Sequence, residues 1–135
     1  ATIVTNQREI AADDFFVGMY TTALEEGELI TAVRFPIPRK ASYQKFRQGA
    51  SRFALVGVFV AQTASGVRVA VTGAASSVFR QSALEAALNQ SFTAASAAAV
   101  KVDASDLGSD IHASPVYRAQ LISVLTQRAV KQMLG

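Results

Sequence analysis

The chain has 135 residues, 50% of them hydrophobic, and a formal net charge of +3 at pH 7. This length fits one domain, or one domain with a short piece of another, and the apolar content suffices for a packed core. The absence of cysteine excludes disulfides, thiolate metal sites and a cysteine nucleophile, and the single histidine, His112, excludes a multi-histidine metal site within the chain. No apolar run is long enough to cross a membrane and no secretion leader opens the chain, so we expect a soluble, cytoplasmic protein.

The first part of the chain is predicted to consist of short strands and turns. Residues 1–5 are apolar and β-branched, and residues 28–35 alternate in hydrophobicity, so both stretches predict strands. A pair of prolines that begins at Pro36 ends the second strand, because each proline removes a backbone donor. We therefore predict a division of the chain into residues 1–40 and residues 41–135.

A hairpin is predicted at the centre of the second part. The longest apolar run, Phe53–Gln62, predicts a strand covered on both faces, and Val67–Val71 predicts its antiparallel partner across a turn at Gly66. Five basic residues come shortly before this hairpin in the sequence: Arg39, Lys40, Lys45, Arg47 and Arg52. They indicate either a solvated rim or a contact for phosphate or an acidic partner, and no nucleic-acid-binding motif accompanies them.

Helices are predicted after the hairpin. Ser82–Glu85 has the spacing of a capping box and predicts a helix from about Ala83, and an alanine-rich helix follows over residues 93–100. Ser114–Pro115 places an N-cap before a long amphipathic helix over residues 116–134. Because strands precede helices, the predicted fold class is α+β, with an antiparallel three- to four-stranded sheet and about three helices on one face.

No catalytic residue and no metal site is predicted. The paired acids Asp13–Asp14 and Glu25–Glu26 are sequence neighbours, which do not generally face each other, and His112 has no local partner to orient it. From these residues alone, the chain is interpreted as a stand-alone, non-enzymatic α+β module for protein interaction, with one basic edge.

A set of short stretches, in order, also resembles a known family. In the first part they are Arg8-Glu9-Ile10, Asp14-Phe15-Phe16 and Gly27-Glu28-Leu29-Ile30. In the second part they are Tyr43, Lys45-Phe46-Arg47, Ala50–Gly57, Thr72-Gly73-Ala74 and Tyr117-Arg118. Together they resemble the C-terminal part of the FAD-binding medium subunit of molybdenum hydroxylases, of the aerobic carbon monoxide dehydrogenase and xanthine dehydrogenase type, over nearly the whole chain.

The resemblance implies a place within an oxidoreductase. Residues 1–40 would be the trailing segment of an FAD-binding domain plus a connector, and residues 41–135 the flavoprotein's C-terminal α+β domain. FAD in the complete subunit passes electrons from iron–sulfur clusters to an external acceptor. The implied partners are the FAD-binding domain of the same subunit, a molybdopterin-containing large subunit and an iron–sulfur small subunit, with neither nucleic acid nor membrane insertion.

The resemblance also assigns three cofactor contacts. A backbone contact to the flavin falls at Ile30, and a cation that reaches the cofactor falls at Arg47 or, as second choice, at Lys45. A cation there favours negative charge on the pyrophosphate or on the reduced flavin. The family's glycine-rich pyrophosphate loops are absent and the chain opens with a strand and no Met, so we expect part of a longer subunit that neither completes an FAD site nor catalyses a reaction by itself.

Overall fold

The computed structural model describes residues 1–49 and 52–135. They form two compact units, Ala1–Ile37 and Pro38–Gly135. Ala50 and Ser51, which belong to the Ala50–Gly57 stretch of the family resemblance, lie outside the described residues. Each unit has its own buried apolar cluster.

The first unit is a small, strand-rich layer around Ile3, Ile10 and Phe15. Its elements are β1 (Thr2–Thr5), β2 (Glu9–Ala11), α1 (Ala12–Phe15), β3 (Phe16–Gly18), β4 (Thr21–Thr22) and β5 (Ile30–Arg34). β1 lies between β2 and β5 in an antiparallel sheet, and β3 pairs with β4. The predicted strands at the start of the chain and before Pro36 are confirmed.

In the second unit, the four strands of one sheet come before the helices in the sequence. Its elements are β6 (Lys40–Lys45), β7 (Gly57–Thr63), β8 (Gly66–Thr72), β9 (Phe79–Arg80), α2 (Ser82–Gln90), α3 (Ala94–Ala99) and α4 (Pro115–Leu134). The strand order is β6-β7-β8-β9, and every pair is antiparallel. The predicted α+β class is therefore confirmed.

The core of the second unit lies between one face of this sheet and the helices. Side chains alternate across a strand, so Val58, Val60, Val69 and Val71 share one face, and all four are fully buried. α4 packs across β6 and β7, α2 packs on β8, and α3 packs against α4. This face of the sheet is the inner face, and the opposite one is called the outer face below.

The hydrophobic run before β7 is not all strand. Phe53 is 94% exposed, and the strand begins only at Gly57. Within the strand, Phe59 points to the outer face and is 43% exposed. The prediction of a strand covered on both faces is therefore wrong, because the helices cover only the inner face.

The start of α2 also differs from the prediction. Gln81 is the N-cap residue, and its side chain accepts from the Ala83 amide. The Glu85 carboxylate instead accepts from the backbone N–H of Val69 and pairs with Arg80, so it binds a strand edge rather than completing a capping box. The N-cap predicted for α4 is confirmed, since Ser114 Oγ accepts from the Tyr117 amide.

Replacement of Leu125 by Ala tests the packing of α4. Leu125 is 1% exposed within the core, so its truncation leaves a cavity and should lower the free energy of unfolding by about 2–5 kcal/mol. Urea denaturation followed by circular dichroism measures the change. Leu134→Ala is the control, because Leu134 is exposed on the same helix and should change stability by less than about 0.5 kcal/mol. Equal effects of the two substitutions would contradict the packing described.

Candidate functional site

Three cations lie where β6 ends. Lys45 is the last residue of β6 and stands opposite Gly57, and Arg47 and Arg52 follow in the connection to β7. Residues 45–49 together with Arg52 are called the basic segment below. The three basic side chains are exposed, and in the described part of the chain no carboxylate or other group pairs with them. Their charges are therefore available to an anion from outside the unit.

Two backbone hydrogen bonds close the base of the connection between β6 and β7, which carries the basic segment. The Phe46 amide donates to the Val56 carbonyl at 2.9 Å, and the Leu55 amide donates to the Phe46 carbonyl at 3.1 Å. These bonds continue the β6–β7 pairing beyond Lys45 and Gly57. Where the chain leaves and rejoins the sheet, Phe46 therefore bonds both Val56 and Leu55.

The first turn of α4 contacts this base. The Tyr117 ring packs edge-on against Phe46, with 6.3 Å between the ring centroids. Arg118 Nη1 donates to the Leu55 carbonyl at 3.1 Å and to the Gly73 carbonyl at 2.8 Å. Two consecutive helix residues thus hold both sides of the base, and one of them also binds the loop after β8.

Arg118 is itself fixed. Its side chain is 6% exposed, and its Nη2 donates to Asp110 Oδ2 at 2.7 Å. Asp110 in turn accepts from the backbone amides of His112 and Ala113, and these bonds, with the His112 bond the largest, lower the pKa of its carboxyl. Among the described buried side-chain atoms, Arg118 Nε has no hydrogen-bond partner, which costs on the order of 1–3 kcal/mol.

Gly73 brings the loop after β8 directly against the same backbone. Its φ is +76°, and a Cβ there would lie 2.9 Å from the Ala54 carbonyl oxygen and 3.0 Å from that of Leu55. Only glycine combines this backbone angle with so close an approach. The loop after β8 therefore lies in close contact with the chain that rejoins β7.

The outer face of the sheet carries an aromatic pair. Tyr43 and Phe59 stand opposite each other on β6 and β7 and are 50% and 43% exposed. A Cβ on Gly57 would lie 2.5 Å from Tyr43 Oη and 2.6 Å from Thr72 Oγ1, so the tyrosine side chain crosses the sheet over the glycine. The aromatic pair lies beside Lys45, at the same end of β6 as the basic segment.

Ile30 lies in the first unit, at the start of the edge strand β5. It pairs with Thr5 of β1, and β5 has no strand on its other side among the described residues. The preceding residue, Leu29, is held twice by Asn6, whose backbone amide donates to the Leu29 carbonyl and whose side chain accepts from the Leu29 amide. The backbone entering Ile30 is therefore fixed, while one edge of its strand is open to a partner.

A buried carboxylate anchors the turn before Ile30. Glu28 accepts from Thr5 Oγ1 at 2.7 Å, from Arg8 Nε at 3.0 Å and Nη2 at 3.1 Å, and from the Glu25 amide at 2.9 Å. The Arg8 hydrogen bond is the main cause that lowers the pKa of Glu28 to about 2, with the Glu25 amide and Thr5 adding to it. The charged form of Glu28 is therefore part of the fold of this unit.

The described residues offer few side chains that could bind a metal ion or act in catalysis. No group of three metal-ligating side chains occurs within residues 1–49 and 52–135. His112 is exposed, and its backbone amide, rather than its ring, bonds Asp110. None of the helices in the described residues has the length and hydropathy needed to cross a membrane.

Lys45 and Arg47 lie in the second unit, two residues apart in the sequence, and Ile30 lies in the first unit. The three assignments as cofactor contacts stay predictions. Arg118 binds both a carbonyl and a carboxylate, and neither its contacts nor the Glu28 network follow from the sequence analysis. A Glu between Gly27 and Leu29 carries no local signal for partners 20 and 23 residues earlier in the chain.

No protein-family model matches the chain. The carbon monoxide dehydrogenase medium chain of Afipia carboxidovorans is 39% identical over 62 residues, which are 44% of this chain and 22% of that protein. The nicotine 6-hydroxylase medium subunit of Paenarthrobacter nicotinovorans is 36% identical over 137 residues, which cover 94% of this chain and 48% of that protein. The chain thus spans about half the length, or less, of these curated relatives.

Solved structures share the fold. Quinoline 2-oxidoreductase from Pseudomonas putida 86 aligns with a TM-score of 0.79 and 25% identity, over 98% of this chain and 51% of that chain. Carbon monoxide dehydrogenase from Oligotropha carboxidovorans aligns with a TM-score of 0.78 and 23% identity, over 98% of this chain and 52% of that chain. At 23% identity, the similarity to carbon monoxide dehydrogenase from Oligotropha carboxidovorans shows only a shared fold.

The antiparallel sheets and the helices therefore have the fold of the matching half of the quinoline 2-oxidoreductase and carbon monoxide dehydrogenase chains. More particularly, the chain is homologous to the C-terminal portion of the medium subunits of carbon monoxide dehydrogenase and nicotine 6-hydroxylase, and belongs to this molybdenum hydroxylase family.

The pH dependence of the first unit tests the Glu28 network. Because the pKa of Glu28 is lower in the folded state, its stabilising effect is complete above the ordinary carboxyl range near pH 4.5 and is lost as the pH falls toward about 2. An NMR titration should place the Glu28 midpoint near 2, and Arg8→Gln should move it upward. A midpoint near 4.5 in the unsubstituted chain would contradict the network.

Proposed function

We propose that this chain is the C-terminal part of an FAD-binding medium subunit of a molybdenum hydroxylase. There it helps to hold FAD and docks the partner subunits, so that electrons pass from iron–sulfur clusters through FAD to an external acceptor. The observation that carries the proposal is the 36% identity to a medium subunit over 94% of the chain. We place the subunit in the cytoplasm, where a chain without cysteine needs no oxidising environment.

The proposed division assigns residues 1–40 to the end of the FAD-binding domain and its connector, and residues 41–135 to the C-terminal domain. Two compact units that meet between Ile37 and Pro38 support this division. The first unit buries only three apolar side chains while Leu29, Phe35 and Ile37 are exposed among others. A unit with so small a core gains stability when a larger domain covers it.

The residues present fit one part of an FAD site. FAD carries a pyrophosphate, and the unpaired cations Lys45 and Arg47 have the charge to bind it or to stabilise negative charge on the ring. Ile30, on an open strand edge, can offer backbone groups to the ring. A glycine-rich loop before a helix, which commonly binds pyrophosphate, is missing from the sequence, so the remaining contacts must come from other residues. FAD supplies the electron-carrying chemistry, and this chain supplies binding and orientation.

The outer face of the sheet is the proposed docking surface, and an acidic surface of the large or small subunit is its proposed partner. Residues 38–84 contain no Asp or Glu but carry seven cations: Arg39, Lys40, Lys45, Arg47, Arg52, Arg68 and Arg80. Half-exposed Tyr43 and Phe59 lie on the outer face with Lys45 and Arg68, whereas Lys40 donates to the Met133 carbonyl on the helix side and Arg80 pairs with Glu85. Aromatic residues and arginine are enriched at protein interfaces, and the charge of this face complements an acidic partner.

Substitution of the two cations tests the flavin role. Hydrogen bonds to charged groups contribute about 1.5–3 kcal/mol, so Arg47→Ala in a flavin-loaded medium subunit that contains these residues should weaken FAD binding by roughly tenfold or more, and Lys45→Ala by less. The flavin-to-protein ratio after gel filtration and a fluorescence titration measure the loss.

Lys131→Ala is the matched control, because Lys131 is an exposed cation near the far end of α4. If flavin affinity and flavin reduction rate are the same in all three variants as in the unsubstituted subunit, the cofactor role is wrong. A monomeric chain that binds a protein unrelated to oxidoreductases would then favour the stand-alone interaction module.

A further inference from the structure

The first turn of α4 contacts both sides of the base from which the basic segment projects. On one side, Tyr117 packs against Phe46, the residue between Lys45 and Arg47. On the other side, Arg118 binds the carbonyl of Leu55. The two contacts come from consecutive residues of a 20-residue helix, so they move together with the helix.

The Arg118 side chain has the geometry of a fixed fork. One terminal nitrogen reaches two carbonyls, at 3.1 Å and 2.8 Å, and the other reaches Asp110 Oδ2 at 2.7 Å. The guanidinium group is planar and rigid, so these three acceptors hold it in one orientation. A lysine at this position would keep the charge but could not reproduce the fork.

The burial of Arg118 costs free energy, because one of its donors has no partner. Arg118 Nε is buried without a partner among the described residues. An apolar side chain in the same place would leave no donor unpaired, but it would leave the Leu55 and Gly73 carbonyls without their partner. Arg118 therefore joins the backbone at Leu55 and the backbone at Gly73 to each other and to α4.

From these contacts we infer that Tyr117 and Arg118 are positioning residues that set the location of Lys45 and Arg47. They act by holding the base of the basic segment against α4 and the loop at Gly73. The consequence for FAD rests on the proposed function, whereas the positioning itself does not.

The positioning is measured first in the 135-residue chain. Because the chain has no cysteine, Gln48→Cys and Ser65→Cys each give one site for a nitroxide label. Gln48 lies in the basic segment, and Ser65 lies in the β7–β8 turn as a reference. In the Arg118→Lys background, the electron spin resonance spectrum at position 48 should gain a mobile component while the spectrum at position 65 stays the same.

Two further backgrounds complete this measurement. Tyr117→Ala should also mobilise the label at position 48, which keeps the inference testable if Arg118→Lys does not fold. Arg128→Lys, an exposed substitution on the same helix, should change neither spectrum. An unchanged spectrum at position 48 in a folded Arg118→Lys or Tyr117→Ala protein would overturn the inference, as would equal mobilisation of both labels.

A double-mutant cycle in the flavin-loaded medium subunit then tests the link to Arg47. If Arg118 acts through Arg47, Arg118→Lys should weaken FAD binding several-fold in the unsubstituted subunit but have little further effect when Arg47 is already Ala. An equal loss in both backgrounds would overturn the link. No loss from Arg47→Ala alone would refute the proposed flavin role while the spin-label result still decides the positioning.

Discussion

Burial of the inner face of the β7–β8 hairpin beneath α2 and α4 is the interaction on which the second unit depends. Val58, Val60, Val69 and Val71 are fully buried there, and burial of each such side chain contributes about 1.5–3 kcal/mol. Because the helices cover only the inner face, Tyr43 and Phe59 on the outer face remain partly exposed. The core thus decides which side of the sheet can meet a partner.

The position of α4 also decides how the sheet ends. Ser114 caps the helix, and its first turn places Tyr117 and Arg118 against the point where the chain leaves β6 and returns to β7. The cations of the basic segment project from that point. A helix that stabilises the core therefore also supports the surface proposed to contact the cofactor, so a change in core packing should be felt at the basic segment.

Local patterns predicted most of the helices and strands, but not where β7 begins and not the contacts between elements. The recurrence of apolar residues and the Ser-Pro pair predicted α4, and Gly66 predicted the hairpin turn, because periodicity and turn chemistry are encoded within a few residues. The bond from Arg118 to the Leu55 carbonyl joins residues 63 positions apart, and neither residue carries a signal for the other. The spacing of Glu85 fits a capping box. Its carboxylate instead accepts from Arg80 and from the Val69 amide, and not from the backbone at the start of α2. The cofactor residues came from family resemblance, since unpaired surface cations have no periodic signature.

The central claim is that FAD contacts the basic segment and the start of β5. Hydrogen–deuterium exchange of a medium subunit that contains these residues, measured with and without FAD, tests it directly. We predict that FAD protects backbone amides around residues 29–31 and 44–48 and leaves the β7–β8 turn and the C-terminal half of α4 unchanged. Protection confined to other parts of the subunit, with no change in either of these two stretches, would contradict the claim.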